Sequence, residues 1–211
     1  MDPVPYPLAK RLLDRVVAFV LLLLAAPVLL VLAVVMALDM LLVPADRGGW
    51  LYRERRISRG REFDLLKFRT LRVDVLAKVE PGASHAREYE GDAFNLTWAG
   101  RHALKPWYLD ELPQLWNVLR GDMSLVGPRP WPPEMVIRQR AEGLDYRDAA
   151  QAGWTGPAQT RKGVPGVRFA DLDLAYVEAC RTWPARRLVR YDLEILRATL
   201  GVLLRGEGLR Y

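Results

Sequence analysis

The sequence predicts an α+β fold, mostly helical, with a membrane-embedded N-terminal segment over residues 1–43 and a compact domain over residues 44–211. The first observation is an apolar run from Val16 to Val43, in which Asp39 is the single charge. Apolar runs longer than about 18 residues are typical of membrane-embedded segments. The second observation is that residues 44–211 open on the turn-rich stretch Pro-Ala-Asp-Arg-Gly-Gly and then combine helical apolar patterns with a few short strand patterns.

Composition restricts the partners and cofactors of this protein. The 211 residues are 51% hydrophobic and 27% charged, with a net charge of +6, and this is not a disordered composition. A basic balance favours anionic partners, namely nucleic acid, phosphorylated small molecules or an anionic membrane surface. The single cysteine, Cys180, excludes an internal disulfide and a multi-cysteine metal site. Two histidines disfavour a zinc site, and any metal is expected to be a hard, oxygen-ligated ion such as Mg²⁺.

The apolar run carries Pro27 near its middle, where proline removes a helix hydrogen bond and kinks the helix. Both flanks are basic, with Lys10, Arg11 and Arg15 before the run and Arg47, Arg53, Arg55, Arg56, Arg59 and Arg61 after it. Lys and Arg are enriched in the segments that flank a membrane helix on its cytoplasmic side, so neither end of this run is predicted to be extracytoplasmic. A re-entrant hairpin bent at Pro27 satisfies both features, and an ordinary kinked transmembrane helix stays open as the alternative. The run is too long for a cleaved signal peptide, so we expect it in the mature protein.

A strand or buried extended segment is predicted over Phe63–Leu71, after a Ser-Arg-Gly turn. Its alternation places Lys67 and Arg69 on one face. Two cations two residues apart on a strand can grip a diphosphate. From the residues alone, charges on a solvated edge that deter aggregation are the favoured alternative. The polar stretch Asp74–Asp92 predicts a short helix and a loop.

The centre of the sequence is the stretch Tyr108–Pro130, which carries the adjacent carboxylates Asp110 and Glu111 just before Pro113. A helical apolar pattern follows, and proline is tolerated in a first helical turn, so both acids are predicted at or just before a helix N-terminus. Unpaired N–H groups and the helix dipole make that position suitable for a phosphate or for an ionised carboxylate. The alternative is a pair of ordinary capping acids, which the stretch alone favours.

Arg129 follows a short buried strand predicted over Met123–Val126 and lies between two prolines. Each proline fixes its own φ, so Arg129 is expected on a stiff backbone. An arginine held in this way is suited to bidentate binding of a phosphate. The alternative is a rigid turn with an exposed arginine.

The last third of the sequence is predicted to be helical, with helices over Pro132–Glu142, Asp171–Arg181 and Ala185–Leu204. Between the first two, the stretch Gly153–Pro157 is predicted as a turn. The final helix interleaves arginines with apolar residues. It is therefore either an amphipathic helix in the membrane interface or a core helix with a charged outer face, and the core helix is slightly favoured.

Three stretches, Lys67–Thr70, Leu109–Leu119 and Gly121–Pro130, closely resemble the bacterial sugar transferase family, the monotopic phosphoglycosyl transferases. Further matches are Thr155-Gly156 with Gln159, then 171–177 and 192–199, so that the resemblance covers nearly the whole chain. It implies the small type of these enzymes, with a re-entrant membrane hairpin broken at Ala26-Pro27. It also implies a catalytic domain with interfacial amphipathic helices at the cytoplasmic face of the bacterial inner membrane.

The resemblance implies transfer of a sugar 1-phosphate from a nucleotide sugar, expected to be a UDP-sugar, to polyprenyl (undecaprenyl) phosphate. This would be the first membrane step of glycan assembly, without nucleic acid as a partner. Asp110 is implied to be the nucleophile that becomes covalently linked to the phosphosugar, and to hold Mg²⁺. Glu111 is implied to be the second member of the dyad. The implied phosphate ligands are Lys67, Arg69, Lys105 and Arg129.

One site residue departs from the family pattern, since Lys105 lies where arginine is usual. Lysine keeps the charge and loses the fork geometry of the guanidinium. A second hypothesis follows from the charge of the chain, namely a non-catalytic module that binds anionic lipid or nucleic acid at a membrane surface. That hypothesis leaves the adjacent acids Asp110 and Glu111 unexplained.

Overall fold

The computed structural model of the chain describes residues 1–79, 86–161, 164 and 166–204. The fold is mostly helical with few strands, as predicted. The helices are α1 (Leu8–Leu42), α2 (Val73–Leu76), α3 (Ala86–Glu90), α4 (Gln114–Arg120), α5 (Pro133–Ala141), α6 (Tyr146–Ala149), α7 (Pro157–Thr160), α8 (Phe169–Thr182) and α9 (Ala185–Leu204). The strands are β1 (Leu51–Ser58), β2 (Arg61–Phe68), β3 (Ser124–Val126) and β4 (Gly153–Thr155).

Helix α1 is the one helix of the described residues that is long and apolar enough to cross a membrane. It is continuous through Pro27, so the predicted break does not interrupt the helix, and the re-entrant hairpin stays a prediction. One face of α1 is buried near each end of the helix; its buried residues are Lys10, Asp14 and Ala18, then Leu32, Met36 and Asp39. Residues 19–31, between these two groups, are exposed or partly exposed. The opposite face is apolar and exposed, for example at Phe19, Leu24 and Val31.

Both ends of α1 contact the folded domain. Near the start of the helix, the Asp14 carboxylate accepts hydrogen bonds from the Ser124 hydroxyl at 2.7 Å and the Leu125 N–H at 3.1 Å. Near its end, the Asp39 carboxylate accepts a hydrogen bond from the Ala99 N–H at 3.0 Å. The 35 residues of α1 give about 50 Å of helix, which contacts the domain near both of its ends and leaves its apolar outer face exposed.

Strands β1 and β2 form an antiparallel hairpin in which Ser58 pairs with Arg61. Arg59 and Gly60 have φ values of 50° and 73°, as a two-residue hairpin turn requires. The strand predicted over Phe63–Leu71 is wrong in its last three residues, because the observed strand ends at Phe68. Beyond it the chain changes partner, since the Thr70 carbonyl accepts a hydrogen bond from the Thr97 N–H at 2.8 Å.

Strand β4 pairs in parallel with β3, with Val126 opposite Thr155. The predicted turn over Gly153–Pro157 is therefore wrong for its first three residues, which form a strand. The pairing is very close, because a Cβ added to Gly153 would lie 2.1 Å from the Gly127 nitrogen. Only glycine permits such an approach of two backbones.

The other predicted helices are found close to their expected bounds, as α5, α8 and α9. Helix α9 buries Leu188, Asp192 and Ile195, which confirms the core-helix interpretation over the purely interfacial one. The main core joins α1, β3, α8 and α9 through buried residues such as Ala18, Leu125 and Tyr176. Part of the predicted loop over Asp74–Asp92 lies outside the described residues.

Candidate active site

The two adjacent acids lie in a 3-10 turn, Leu109–Glu111, that comes just before α4. Their predicted position before a helix N-terminus is confirmed. The preceding residue, Tyr108, has a φ of 54°, a left-handed conformation that is uncommon for a bulky residue. The N-cap residues of this turn and of α4 are Tyr108 and Pro113, so neither acid occupies the N-cap position that the alternative of an ordinary capping acid requires.

Asp110 is buried, with 3% of its surface exposed. Its Oδ2 lies 3.3 Å from the Lys105 Nζ, whereas its Oδ1 is buried with no hydrogen-bond partner among the described residues. Burial raises the pKa of Asp110 to about 6; Lys105 opposes this shift and the charge of Glu111 adds to it. A buried carboxylate with an unpaired oxygen is costly, and such a group is typical of a functional site.

Lys105 connects Asp110 to a second carboxylate. Its Nζ lies 2.6 Å from Glu90 Oε2, which is closer than its contact with Asp110. Glu90 ends the short helix α3. The cation beside Asp110 is therefore shared between two acids, and lysine, with three donors on a single nitrogen, can contact both.

A pocket beside the dyad brings together Lys67, Glu111 and Arg129, three of the residues that the resemblance implied for the site. The Arg129 Nη2 lies 3.9 Å from Glu111 Oε1, and the Arg129 side chain is 44% exposed. The pocket is also lined by Arg56, Gln114 and Trp154. Cations at a pocket wall next to a buried acid suit an anionic ligand.

Sequence reasoning missed Glu54 and Arg56. Glu54 pairs with Arg56 and lies 3.3 Å from the Lys67 Nζ, so it balances two of the pocket cations. Burial raises the pKa of Glu54, but Lys67 and Arg56 together lower it below its ordinary value. Side chains alternate between the two faces of β1, and both residues lie on the less exposed face. This alternation is visible in the sequence and could have distinguished Arg56 from the other arginines that follow the apolar run.

Arg69 is placed differently from the prediction. It lies beyond the end of β2, is 4% exposed, and does not line the pocket beside the dyad. Its guanidinium donates hydrogen bonds to the backbone carbonyls of Gly49, Leu71 and Asp46 at 2.6, 2.8 and 2.5 Å. In the structure Arg69 therefore ties the connection between α1 and β1 to the segment that follows β2. Unlike Lys67, it does not line the pocket beside the dyad.

The residues of the site fit a Mg²⁺ ion that also binds substrate. Among the described residues there is no group of three or more His, Cys, Asp or Glu side chains that could form a metal cage. Mg²⁺ is commonly bound by one or two carboxylates together with substrate phosphates. The unpartnered Oδ1 of Asp110 offers one such ligand, with Glu111 next to it in the chain.

The site combines a buried carboxylate beside Lys105 with a neighbouring pocket lined by cations, on a domain that contacts both ends of a long apolar helix. These features suit a protein that handles an anionic ligand at a membrane surface. The chain belongs to the bacterial sugar transferase family, because the model of that family matches residues 5–206.

Curated relatives agree with this assignment. The chain is 36% identical over 210 residues to a UDP-galactose-lipid carrier transferase of Erwinia amylovora, covering 94% of this chain and 41% of that protein. It is 37% identical over 211 residues to a UDP-glucose:undecaprenyl-phosphate glucose-1-phosphate transferase of Caulobacter vibrioides, covering 95% and 72%. It is 35% identical over 212 residues to an undecaprenyl-phosphate galactose phosphotransferase of Salmonella typhimurium, covering 94% and 41%. The chain thus spans about two fifths of the length of the first and third of these relatives.

Proposed function

We propose that the chain is a polyprenyl-phosphate sugar-1-phosphate transferase. It moves a sugar 1-phosphate from a UDP-sugar to undecaprenyl phosphate, as the first membrane step of glycan assembly. The names of the relatives support the reaction class. The observation that carries the proposal for this chain is the buried Asp110, whose Oδ1 has no partner among the described residues, close to a pocket lined by three cationic side chains.

In this proposal Asp110 is the nucleophile. Its Oδ1 forms a bond to the β-phosphorus of the nucleotide sugar, and the bond from that phosphorus to the bridging oxygen breaks. The nucleoside monophosphate leaves with the bonding electrons, and an aspartyl phosphosugar remains. An oxygen of the polyprenyl phosphate then attacks the same phosphorus and displaces the Asp110 carboxylate. Two displacements let one site serve a soluble and a lipid substrate in turn.

The neighbouring residues bind and orient the phosphates. Lys105, Lys67 and Arg129 are the proposed phosphate ligands, and Glu111 is assigned to orient the metal site or to assist the acceptor. Arg69 is the fourth proposed phosphate ligand, and to bind a phosphate its guanidinium would have to exchange hydrogen bonds to three carbonyls. A bound Mg²⁺, held by Asp110 and substrate phosphates, would neutralise charge on the transferring group.

We propose that residues 1–43 form a monotopic membrane segment, bent at Pro27, and that residues 44–211 face the cytoplasm. Support comes from α1, because Asp14 and Asp39 both contact the same folded domain. A helix that crossed the bilayer would place its two ends on opposite sides.

This topology predicts that both ends of α1 are accessible from the cytoplasmic side. Cysteines introduced by Ala9→Cys and Ala45→Cys, both at exposed positions, are expected to react with a membrane-impermeant maleimide only in inverted vesicles. The native Cys180 is buried and is replaced by serine as a control. Labelling of one position from each side of the membrane would contradict the monotopic segment.

The raised pKa of Asp110 predicts an acidic limb in the pH profile. Because the nucleophile must be ionised, kcat/KM for the nucleotide sugar is expected to fall about tenfold per unit below about pH 6. Lys105 lowers the pKa of Asp110, so Lys105→Met is expected to move this limb to higher pH, in addition to reducing the rate. Lys78→Met, at an exposed position, is the control and should leave the limb in place. A limb that does not move in Lys105→Met would contradict the assigned contact.

The function is tested by supplying the purified chain with Mg²⁺, undecaprenyl phosphate and a panel of UDP-sugars. Release of UMP with at least one sugar, together with formation of a lipid-linked diphosphate sugar, is the expected result. If no donor releases a nucleoside monophosphate and the chain only binds anionic lipid in a salt-dependent manner, the non-catalytic membrane module is the correct interpretation.

A further inference from the structure

The segment Pro128–Trp131, which carries Arg129, is held through its carbonyl groups. Two of its residues are prolines and have no N–H to donate. The Pro128 carbonyl accepts a hydrogen bond from the Gly153 N–H at 2.8 Å, and the Trp131 carbonyl accepts one from the Ile57 N–H at 3.0 Å. The carbonyl of Arg129 itself accepts a hydrogen bond from the Arg147 Nε at 3.2 Å.

Arg147 is a buried cation, 4% exposed, and its guanidinium is bonded on every side. One terminal nitrogen donates to the Gln139 side-chain oxygen and to the Tyr146 hydroxyl. The other lies 3.4 Å from Asp173 Oδ2. Its carbon lies 3.7 Å from the centre of the Trp131 ring. The group therefore connects α5, α6 and α8 to the segment that carries Arg129.

Packing alone does not explain this cation. Burying a guanidinium and a carboxylate costs free energy that their attraction often fails to offset, and apolar residues of similar volume frequently do as well. Methionine could fill the same space and pack against Trp131. What methionine could not do is donate a hydrogen bond to the Arg129 carbonyl.

We propose that Arg147 is a positioning residue, which fixes the backbone of Arg129 so that its guanidinium stays beside Glu111 at the substrate pocket. The proposal rests on the proposed function, in which Arg129 binds a substrate phosphate. Arg147 does not line the pocket beside the dyad, so it acts through Arg129. Loss of its hydrogen bond to the Arg129 carbonyl removes one of the three described hydrogen bonds to the carbonyls of the segment, so the position of Arg129 is less fixed and a phosphate has to order the side chain on binding.

The test is a double-mutant cycle that combines Arg147→Met with Arg129→Ala. Parental UMP release is measured first. Its absence would contradict the proposed function, and the same cycle would then be measured as Kd for the UDP-sugar in place of KM. In the parental background Arg147→Met is expected to raise KM for the UDP-sugar about tenfold, with a smaller change in kcat. In the Arg129→Ala background the same substitution is expected to change KM less than about twofold, since residues that act as one unit are not additive.

Arg140→Met is the matched control. Arg140 also joins α5 to α6, through hydrogen bonds to Asp148 of 2.6 and 2.7 Å, and its described hydrogen bonds do not reach Pro128–Trp131. The effect of Arg140→Met on KM should be small and the same in both backgrounds.

The inference is overturned if Arg147→Met raises KM equally with and without the Arg129 side chain. Arg147→Lys, which keeps the charge but lacks the Nε donor, serves in the cycle if the methionine variant does not fold. Failure of both variants to fold also overturns the inference, because Arg147 would then support the whole domain.

Discussion

Asp110→Asn is expected to abolish phosphosugar transfer, with a loss of about 10³-fold or more in kcat. The amide nitrogen and oxygen occupy the same space as the carboxylate, but a neutral amide cannot form a stable bond to phosphorus. The substitution removes the nucleophile and leaves the cations of the pocket in place. Released UMP and intact-protein mass measure the result: the parent gains the mass of a phosphosugar when donor is supplied without acceptor, and the variant does not.

The same substitution is expected to leave stability unchanged or to increase it slightly. Burial raises the pKa of Asp110 to about 6, above the ordinary value, so near pH 7.5 the ionised form weakens the folded state. An amide at this position removes that cost. A thermal midpoint that does not decrease, together with lost transfer, would show that the variant lost its chemistry and not its fold.

Asp122→Asn is the matched control for Asp110→Asn. Asp122 follows α4, is partly exposed, and accepts a hydrogen bond from the Asn117 side chain at 3.0 Å. Its loss should lower transfer by no more than a few fold, since Asp122 does not line the pocket beside the dyad. The assignment of the nucleophile is wrong if Asp110→Asn still accumulates the covalent adduct at the parental rate.

Local signals in the sequence were enough to place the dyad. Pro113 and the apolar repeat after it determine where a helix can begin, so the acids before it had to lie near that start. Arg129 between two prolines was predictable for the same reason, because proline restricts its own backbone whatever the tertiary context. Both predictions depend on residues that are close in the chain.

The features that sequence reasoning missed depend on residues distant in the chain. Strand β4 is three residues long and is a strand because it pairs with β3, whereas Gly153 and the following Gly156-Pro157 are typical of a turn. Arg69 continues the alternation of β2, yet tertiary contacts bury it against three carbonyls. Arg147 carried no local signal, because its role depends on the carbonyl of a residue 18 positions earlier.

Lys10→Met is expected to lower the free energy of unfolding by about 3–5 kcal/mol, because it leaves buried carboxylates without their cation. The Lys10 Nζ lies 2.7 Å from Asp192 Oδ2 and 3.8 Å from Asp14 Oδ2, and all three side chains are nearly fully buried. It also donates a hydrogen bond to the Val126 carbonyl at 3.1 Å. One ammonium group thus connects the start of α1 to β3 and to α9.

The carboxylates cannot compensate by finding other donors. Among the described residues, Asp192 keeps the hydrogen bond from the Tyr176 hydroxyl at 2.7 Å, and Asp14 keeps those from Tyr6, Ser124 and Leu125. Two acids that share one buried site repel each other once the cation is gone. We expect α1 to detach from α9 at this end, which thermal unfolding in detergent and faster proteolysis near residue 10 would both detect.

Arg190→Met provides the comparison on the same helix. Arg190 lies 3.4 Å from Glu194, but the two side chains are 84% and 57% exposed, and exposed pairs of this kind contribute about 0–1 kcal/mol. A double variant, Lys10→Met with Asp192→Leu, should recover part of the lost stability, because it removes the buried Asp192 carboxylate that Lys10→Met alone leaves without a cation. If Lys10→Met unfolds no more easily than Arg190→Met, the buried pair does not hold α1 to the domain.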